Sequence, residues 1–427
     1  MRLLQIWQRL NALFGKITDR GSSFRKIGMD FDLTDNQQMY VDMVRKFVKS
    51  EIIPKVMSLD KEHVFPWHII SRAWELGILN LSIPESVKGY EVDVVSAALI
   101  IEEISYGDTG ISTSAMCNDL ANTVIAQHGT DEQKEVFLTP FVEAPLLASF
   151  CLTEPGAGSD NMAMTTFMKK REDGNYILNG AKCFITNASL ASQFTVFCKL
   201  GKPTSQLIAC VVVPSVPVLP DGVNNTAPAG KEIILPKGGR IIVGKPEDKL
   251  GQHLSNTAGA TFEDIVIEPY QIIGDRRLGF KYIVDALDFA RPMVAAIGVG
   301  LARRAFDLTL AYTKERRQFG QRLCDMPVVS DTLVQMWKKV ETSKMALMKA
   351  AVKVQTQAPD RGLYASLAKN LAAEAALFCA NEGLHLHGGY GFMTEYEISK
   401  LARDAHIIDI YEGVREVQNM IMGRELI

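Results

Sequence analysis

The sequence is short of the features that would make several common protein classes. Its seven cysteines are an odd number and none forms a CxxC pair. That excludes a disulfide framework and a zinc ribbon, and reads as reduced thiols in a reducing compartment. Neither sign of charge prevails: 46 Lys and Arg stand against 49 Asp and Glu, a net charge of −3. With no basic face or stripe, nucleic acid is not an expected partner. Apolar runs are too short to span a bilayer, and there is no internal repeat. What remains is a chain of 427 residues that is 47% hydrophobic and 22% charged, long enough for two or three domains with large cores.

Residues 1–28 differ from the rest. Arg2, Arg9, Lys16, Arg20, Arg25 and Lys26 face a single acid, Asp19, and Leu3, Trp7, Leu10, Phe14 and Ile17 recur at helical spacing. Three readings stay open: an organelle transit peptide, a helix that touches a membrane surface or partner, or an extension upstream of a natural start at Met29. Bacterial cytoplasm and mitochondrial matrix both fit. From 29 to 147 the pattern is helical, opened by Thr34 as an N-cap. From 148 to 272 short β-branched and aromatic segments separated by Gly, Pro and Asn predict a β domain. Within it, residues 214–245 read as a long surface excursion. From 273 to 427 long alanine-rich helices predict an antiparallel bundle, with Pro292 a point of kink or break.

Several fragments could carry chemistry, and each has a plainer reading. LTEPGAGSD, 152–160, follows a strand; its glycines free backbone N–H groups, and Thr153 and Ser159 add hydroxyls suited to an anion or the polar edge of a flat ring. A simple strand-ending turn is the plainer alternative. Phe184 and Thr186, two apart on a strand, share one face. ERRQFG, 315–320, puts paired arginines at a helix end, as a phosphate clamp or as ordinary dipole compensation. HLHGGYGF, 385–392, ends a helix in a glycine turn, and His385 and His387 lack the further spaced ligands of a metal site. GVGL, 298–301, reads as close helix packing. In IIDIYEGVREVQN, 407–419, Glu412 sits among apolar neighbours: either a solvated loop acid or a catalytic base whose pKa burial raises.

Taken together and in order, LTEPGAGSD, KCFITNA, KLGQHLSNTAGATFEDIVI, RPMVAAIGVGLARRAFDLTLAYTKERRQFG, HGGYGFMTEYEISKLARDA and IYEG resemble the acyl-CoA dehydrogenase family over nearly all of residues 30–427. The resemblance implies an α+β, mostly helical fold: an N-terminal helical domain, a middle β-barrel-like domain and a C-terminal four-helix bundle, binding FAD. It implies flavin contacts from Leu152, Thr153, Gly158, Ser159, Phe184 and Thr186. Arg316, Phe319, His385, Gly388 and Gly389 would reach the FAD of a neighbouring subunit, which requires a homodimer or homotetramer. Ser159, Asp288, Arg291, Tyr411 and Gly413 would contact the acyl-CoA. Glu412 matches the family's base. Some subfamilies place that base just before the RP pair, but here that residue is Ala290. Met116 lies on the helix expected to floor the acyl pocket, and TSAMCNDL offers no arginine for a distal carboxylate. The implied reaction is α,β-dehydrogenation of an acyl-CoA to a trans-2-enoyl-CoA, with electrons passed to an electron-transfer flavoprotein. A superfamily flavin oxidase or monooxygenase, the reverse enoyl-CoA reduction, and a non-catalytic assembly subunit are the alternatives.

Overall fold

The computed structural model describes residues 32–215 and 232–427. The readings of residues 1–28 and of the stretch 216–231 therefore lie outside the described residues. Thr34 caps the first helix as its sequence predicts: its Oγ1 accepts from Gln37 N (3.3 Å) while Gln37 Oε1 accepts from Thr34 N (3.0 Å). The helices up to residue 143 are α1 (Asp35–Phe47), α2 (Val56–Glu62), α3 (Trp67–Glu75), α4 (Val94–Gly107), α5 (Thr109–His128) and α6 (Asp131–Glu143). Side-chain caps set the starts of α4, α5 and α6. Asp93 accepts from Val95 N and Ser96 N, Asp108 accepts from Ile111 N, and Thr130 makes a capping box with Gln133.

Helix α5 is buried from Thr109 to Ile125 on every side. A helix buried all round is a central element rather than a surface one. It packs on the first strand on one side and on the long C-terminal helix on the other. One eight-stranded mixed sheet follows: β1 (Ala148–Cys151), β2 (Phe167–Lys170), β3 (Tyr176–Thr186), β4 (Gln193–Leu200), β5 (Ile208–Pro214), β6 (Glu232–Ile234), β7 (Arg240–Val243) and β8 (Thr257–Ile267). Its order is β1-β4-β2-β3-β8-β7-β6, with β5 also on β4. β1 runs parallel to β4 (Ala148 opposite Gln193), and β3 runs antiparallel to β8 with bulges between Leu178 and Gly180 and between Lys182 and Ile185. The stretch 214–245 is only partly an excursion. Its Ile233 and Ile241 are buried, and they turn 232–234 and 240–243 into paired strands extending the sheet beyond β8. EIILP, 232–236, has strand texture in the sequence and supplies β6; the Pro- and Gly-rich surroundings masked only β7.

The C-terminal helices are α7 (Gly279–Glu315), α8 (Pro327–Gln355), α9 (Arg361–Leu386), α10 (Glu397–Ile408) and α11 (Arg415–Leu426). A two-residue hairpin, β9 (Arg317–Gln318) with β10 (Gln321–Arg322), separates α7 from α8. Pro292 neither breaks nor ends α7. The residues from Asp288 to Ala302 are buried against α4, α5 and α9, and tertiary packing outweighs the one lost hydrogen bond. Gly298 and Gly300 allow that packing. A Cβ on Gly298 would lie 2.8 Å from Ala372 O, and one on Gly300 would collide with Glu102 O. The N- and C-terminal helices thus share one hydrophobic core, and the sheet holds a second. Among the described residues, no helix is long and apolar enough to cross a membrane.

Candidate active site

A cavity of about 1290 Å³ opens where α5, the end of β3, α7 and the α10–α11 loop converge. Glu412 lies on its wall, in the loop between Ile408 and Arg415. Its backbone is left-handed (φ 54°), as is that of Gly413 (φ 97°). Such a conformation in a non-glycine residue persists only where neighbours over-determine it. Two buried side chains do so. Gln418 Nε2, from α11, donates to Glu412 O (3.0 Å) and Gly413 O (3.1 Å). Lys369 Nζ, from α9, donates to Asp409 O (3.0 Å) and Gly413 O (2.9 Å). A Cβ on Gly413 would strike Gln418 Nε2 at φ 97°, so glycine is the residue that fits there without strain or displacement of that donor.

Glu412 keeps a partial opening toward the cavity but is otherwise enclosed by protein. Burial raises its carboxyl to about 7, and the charges of Arg291 and Lys369 hold it from rising further. Of the two readings of this acid, the solvated loop is excluded. Arg291 is itself buried and paired with Asp288 (Nη1 to Oδ1, 3.0 Å), whose other oxygen lies 3.5 Å from Arg361 Nε. Among the described residues Arg291 Nε has no hydrogen-bond partner.

Tyr411 is oriented by a relay. Lys400, fully buried, joins Asp108 (2.6 Å) and Asp404 (2.5 Å), and Asp404 Oδ1 accepts from Gln252 N (2.6 Å). Gln252 Oε1 accepts from the Thr113 hydroxyl (3.0 Å), so the Tyr411 hydroxyl, 3.3 Å from Thr113 Oγ1, is the donor between them. Burial pushes the Tyr411 hydroxyl well above its usual range, keeping it protonated. On α5 the residues facing the cavity are Thr113, Cys117 and Leu120; Met116 is buried elsewhere and does not line it. The Cys117 thiol is pushed up to about 12 by burial and by the nearby Glu412 charge, and is therefore a neutral wall group.

The opposite wall comes from the sheet. Leu152, Thr153, Gly158 and Ser159 line it, anchored from below by a buried ion pair. Lys182 Nζ donates to Leu152 O (2.9 Å) and Glu154 Oε1 (2.8 Å), and Glu154 also accepts from Thr165 N (2.6 Å) and Thr166 N (3.0 Å). Burial works to raise the Glu154 carboxyl, but Lys182 and these donors hold it at about 2. Among the described residues, apart from their chain neighbours, Gly156 and Gly158 have no atom within 4 Å of where a Cβ would sit, so the loop presents an open surface rather than a packed turn. Phe184 and Thr186 do share the open face of β3. They do so through the second bulge: Phe184 has φ 56° and is 68% exposed, while Ile185 between them is buried.

Thus Leu152, Thr153, Gly158, Ser159, Phe184, Thr186, Asp288, Arg291, Tyr411, Glu412 and Gly413 meet at one cavity. Arg316, Phe319, His385, Gly388 and Gly389 do not line it. The Arg316 guanidinium lies 5.5 Å from the Tyr390 ring centre, Phe319 is 93% exposed with φ 52°, and the His385 side chain is exposed, 4.0 Å from Glu382. Gly388 has φ 58°, and among the described residues, apart from chain neighbours, no atom lies within 4 Å of a Cβ on it or on Gly389. Among the described residues no group of three His, Cys, Asp or Glu could hold a metal ion. Sequence reasoning missed Lys369, Gln418, Lys182, Thr113, Gln252 and Cys117. A lone lysine within the alanine-rich run of α9 was the one signal available.

The chain matches the acyl-CoA dehydrogenase N-terminal domain over residues 34–144, the middle domain over 149–265 and the C-terminal domain over 277–427. It belongs to the acyl-CoA dehydrogenase family, whose members are oxidoreductases. It is 35% identical over 404 residues to the probable acyl-CoA dehydrogenase YngJ of Bacillus subtilis, spanning 93% of this chain and 100% of that protein. Butyryl-CoA dehydrogenase from Megasphaera elsdenii superposes with a TM-score of 0.84 at 34% identity, covering 93% of this chain and 100% of that one. A chain from the electron transferring flavoprotein of Acidaminococcus fermentans gives 0.84 at 32% identity, covering 93% and 100%. An acyl-CoA dehydrogenase complexed with FAD from Bacillus anthracis gives 0.81 at 26%, covering 92% and 67%.

The cofactor is FAD. The residues present fit it: an aromatic ring held open on a bulge, two hydroxyls beside it, and a glycine loop whose surface is unobstructed, around a cavity large enough for a flat ring and a substrate.

Proposed function

We propose that the protein removes the α-proton and β-hydride of an acyl-CoA thioester to give a trans-2-enoyl-CoA, with Glu412 as the base. The observation that carries this reading is the Glu412 carboxyl, raised to about 7 on a cavity wall and fixed in a left-handed turn. A carboxylate tuned toward neutrality is a stronger base than one in water, yet still ionised in part at neutral pH. Abstraction of an α-proton also needs stabilisation of charge on the thioester carbonyl, and the Glu412 N–H supplies one donor in this reading. Phe184, Thr186 and the 152–159 loop hold the FAD ring, which supplies the two-electron chemistry when bound. Thr113, Cys117 and Tyr411 form the wall facing the acyl group and keep it neutral and largely dry. Arg316, Phe319, His385, Gly388 and Gly389 contact the FAD of a second subunit in a homodimer or homotetramer; the full exposure of Phe319 supports this. The electron acceptor is an electron-transfer flavoprotein.

Anaerobic titration of the purified protein with a panel of acyl-CoAs, following flavin absorption, tests the reading. Bleaching by one acyl class, lost in Glu412→Gln, is the expected result. Yellow protein that consumes oxygen with substrate and does not depend on Glu412 would move it to the oxidase and monooxygenase branch. Protein that cannot be loaded with FAD would leave only an assembly role.

A further inference from the structure

Lys369 has no place in the reaction as described, yet it is one of the costliest side chains in the fold. It is wholly buried on α9, with Ala368 and Ala372 beside it also buried. An ammonium there loses its hydration and must be repaid by partners. Among the described residues it makes no salt bridge. It donates to two backbone carbonyls, Asp409 O (3.0 Å) and Gly413 O (2.9 Å), which bracket Glu412 in the chain. The positive charge is therefore answered at longer range, by Asp409 and by Glu412 itself.

We propose that Lys369 is a positioning residue for Glu412: its two hydrogen bonds hold the 409–413 turn in its left-handed form, and its charge keeps the Glu412 carboxyl ionised enough to act as a base. The inference rests on the reading of Glu412 as the base. Gln418 pins the same turn from the α11 side but is neutral, so it can supply the geometry without the field. The groups around Glu412 are Arg291 from α7, Lys369 from α9, Cys117 from α5 and Tyr411 beside it. Those around Lys369 are Asp409, Glu412, Arg291 and Arg415. Arg291 is engaged by Asp288 at 3.0 Å, which leaves Lys369 as the cation near Glu412 without a carboxylate in hydrogen-bond contact. Burial lowers the Lys369 ammonium to about 8, so it remains largely charged at neutral pH.

The test compares FAD-loaded native protein with Lys369→Gln, Lys369→Met and Lys369→Arg. Two readouts are taken: kcat/KM against pH, and a difference-infrared titration of the Glu412 carboxyl, assigned by its absence in Glu412→Gln. Both neutral variants should move the acidic limb and the infrared titration upward by about one pH unit, and Arg should leave them near the native position. Native activity with folded neutral variants whose acidic limb and carboxyl titration stay where they were overturns the proposal. If the native protein turns over but Glu412→Gln does too, the base assignment fails instead, while the infrared titration still reads whether Lys369 acts on Glu412. If neither neutral variant folds, Lys369→Arg decides. A fall in kcat with an unmoved acidic limb, from displaced donors at full charge, supports the positioning role; unchanged kcat and KM overturn it.

Discussion

Replacing Glu412 by Gln should make the protein more stable, by an amount that grows from about pH 4.5 and is complete above about pH 7. In the unfolded chain this carboxyl titrates near 4.5; in the folded protein burial raises it to about 7. Below pH 4.5 both states carry the proton and the carboxyl contributes no difference. Between 4.5 and 7 the folded state holds the proton more tightly, so the unfolded state binds fewer protons and stability falls as pH rises. Above 7 the loss is complete. At about 1.4 kcal/mol for each pH unit of displacement, it amounts to roughly 3 kcal/mol. Arg291 and Lys369 have already reduced that figure, because the value of about 7 includes their attraction. Glutamine has the same shape and no titration, so it escapes the loss at high pH.

The entropy of unfolding is about 2.1 cal/mol/K per residue, so in a chain of this length 3 kcal/mol corresponds to a rise in Tm of roughly 3–4 °C. Scanning calorimetry of the FAD-loaded native protein and Glu412→Gln, at pH 5 and pH 8 in the same low-salt buffer, reads it directly. The variant should gain little at pH 5 and the full rise at pH 8, while its substrate-driven bleaching is lost. Equal melting temperatures at both pH values, or a variant less stable at pH 8, would refute the claim that enclosure sets the carboxyl's behaviour.

Two further substitutions probe the walls of the cavity. Glu154→Gln leaves the buried Lys182 ammonium without its carboxylate and should cost about 3–5 kcal/mol, with weakened FAD retention measured by flavin release on dilution. Because Glu154 is held at about 2, the stability it provides is present above pH 4.5 and is lost as pH falls toward 2, so the two proteins should converge in acid melts. Gly413→Ala places a methyl against Gln418 Nε2 at φ 97°, and should lower kcat at least tenfold while melting within a few degrees of the native protein; an unchanged kcat would show that the turn tolerates being moved.

The parts of this site that were legible in the sequence are those built on local chemistry. Thr34 reads as a cap because its hydroxyl and Gln37 are three apart, and the GVGL glycines read as close packing because they sit mid-helix. Glu412 reads as an anomaly because a carboxylate was placed among Ile407, Ile408 and Tyr411. The parts that were not legible depend on rotation or on distance along the chain. Met116 and Cys117 differ by one residue, which is 100° around α5, and no local signal says which of them faces the cavity. Lys369 and Glu412 are 43 residues apart, and Lys182 and Glu154 are 28 apart; each pair becomes visible only once α9 and β3 are in place. The strand 240–243 was hidden because four residues give too short an alternation to stand out from a Pro- and Gly-rich background, whereas EIILP, 232–236, carries the adjacent β-branched pair that marks 232–234 as a strand.

The cavity also concentrates backbone strain where side chains must face inward. Phe184, Gln252 and Glu412 are non-glycine residues with left-handed backbone, and all three line it. Each such conformation costs of order 1–3 kcal/mol, and each is held by a different buried group. Cys183 N donates to Thr153 O (3.0 Å) beside Phe184, on the loop anchored by Lys182 and Glu154. Asp404 takes the N–H of Gln252 within the Lys400 cluster. Gln418 and Lys369 take the carbonyls around Glu412. In each case a buried polar or charged side chain, costly in itself, fixes a turn that the local sequence would not choose. Removing one of these clamps should therefore affect the orientation of a single wall before it affects the fold. That explains why these buried groups stand behind the cavity walls without themselves facing the reacting atoms.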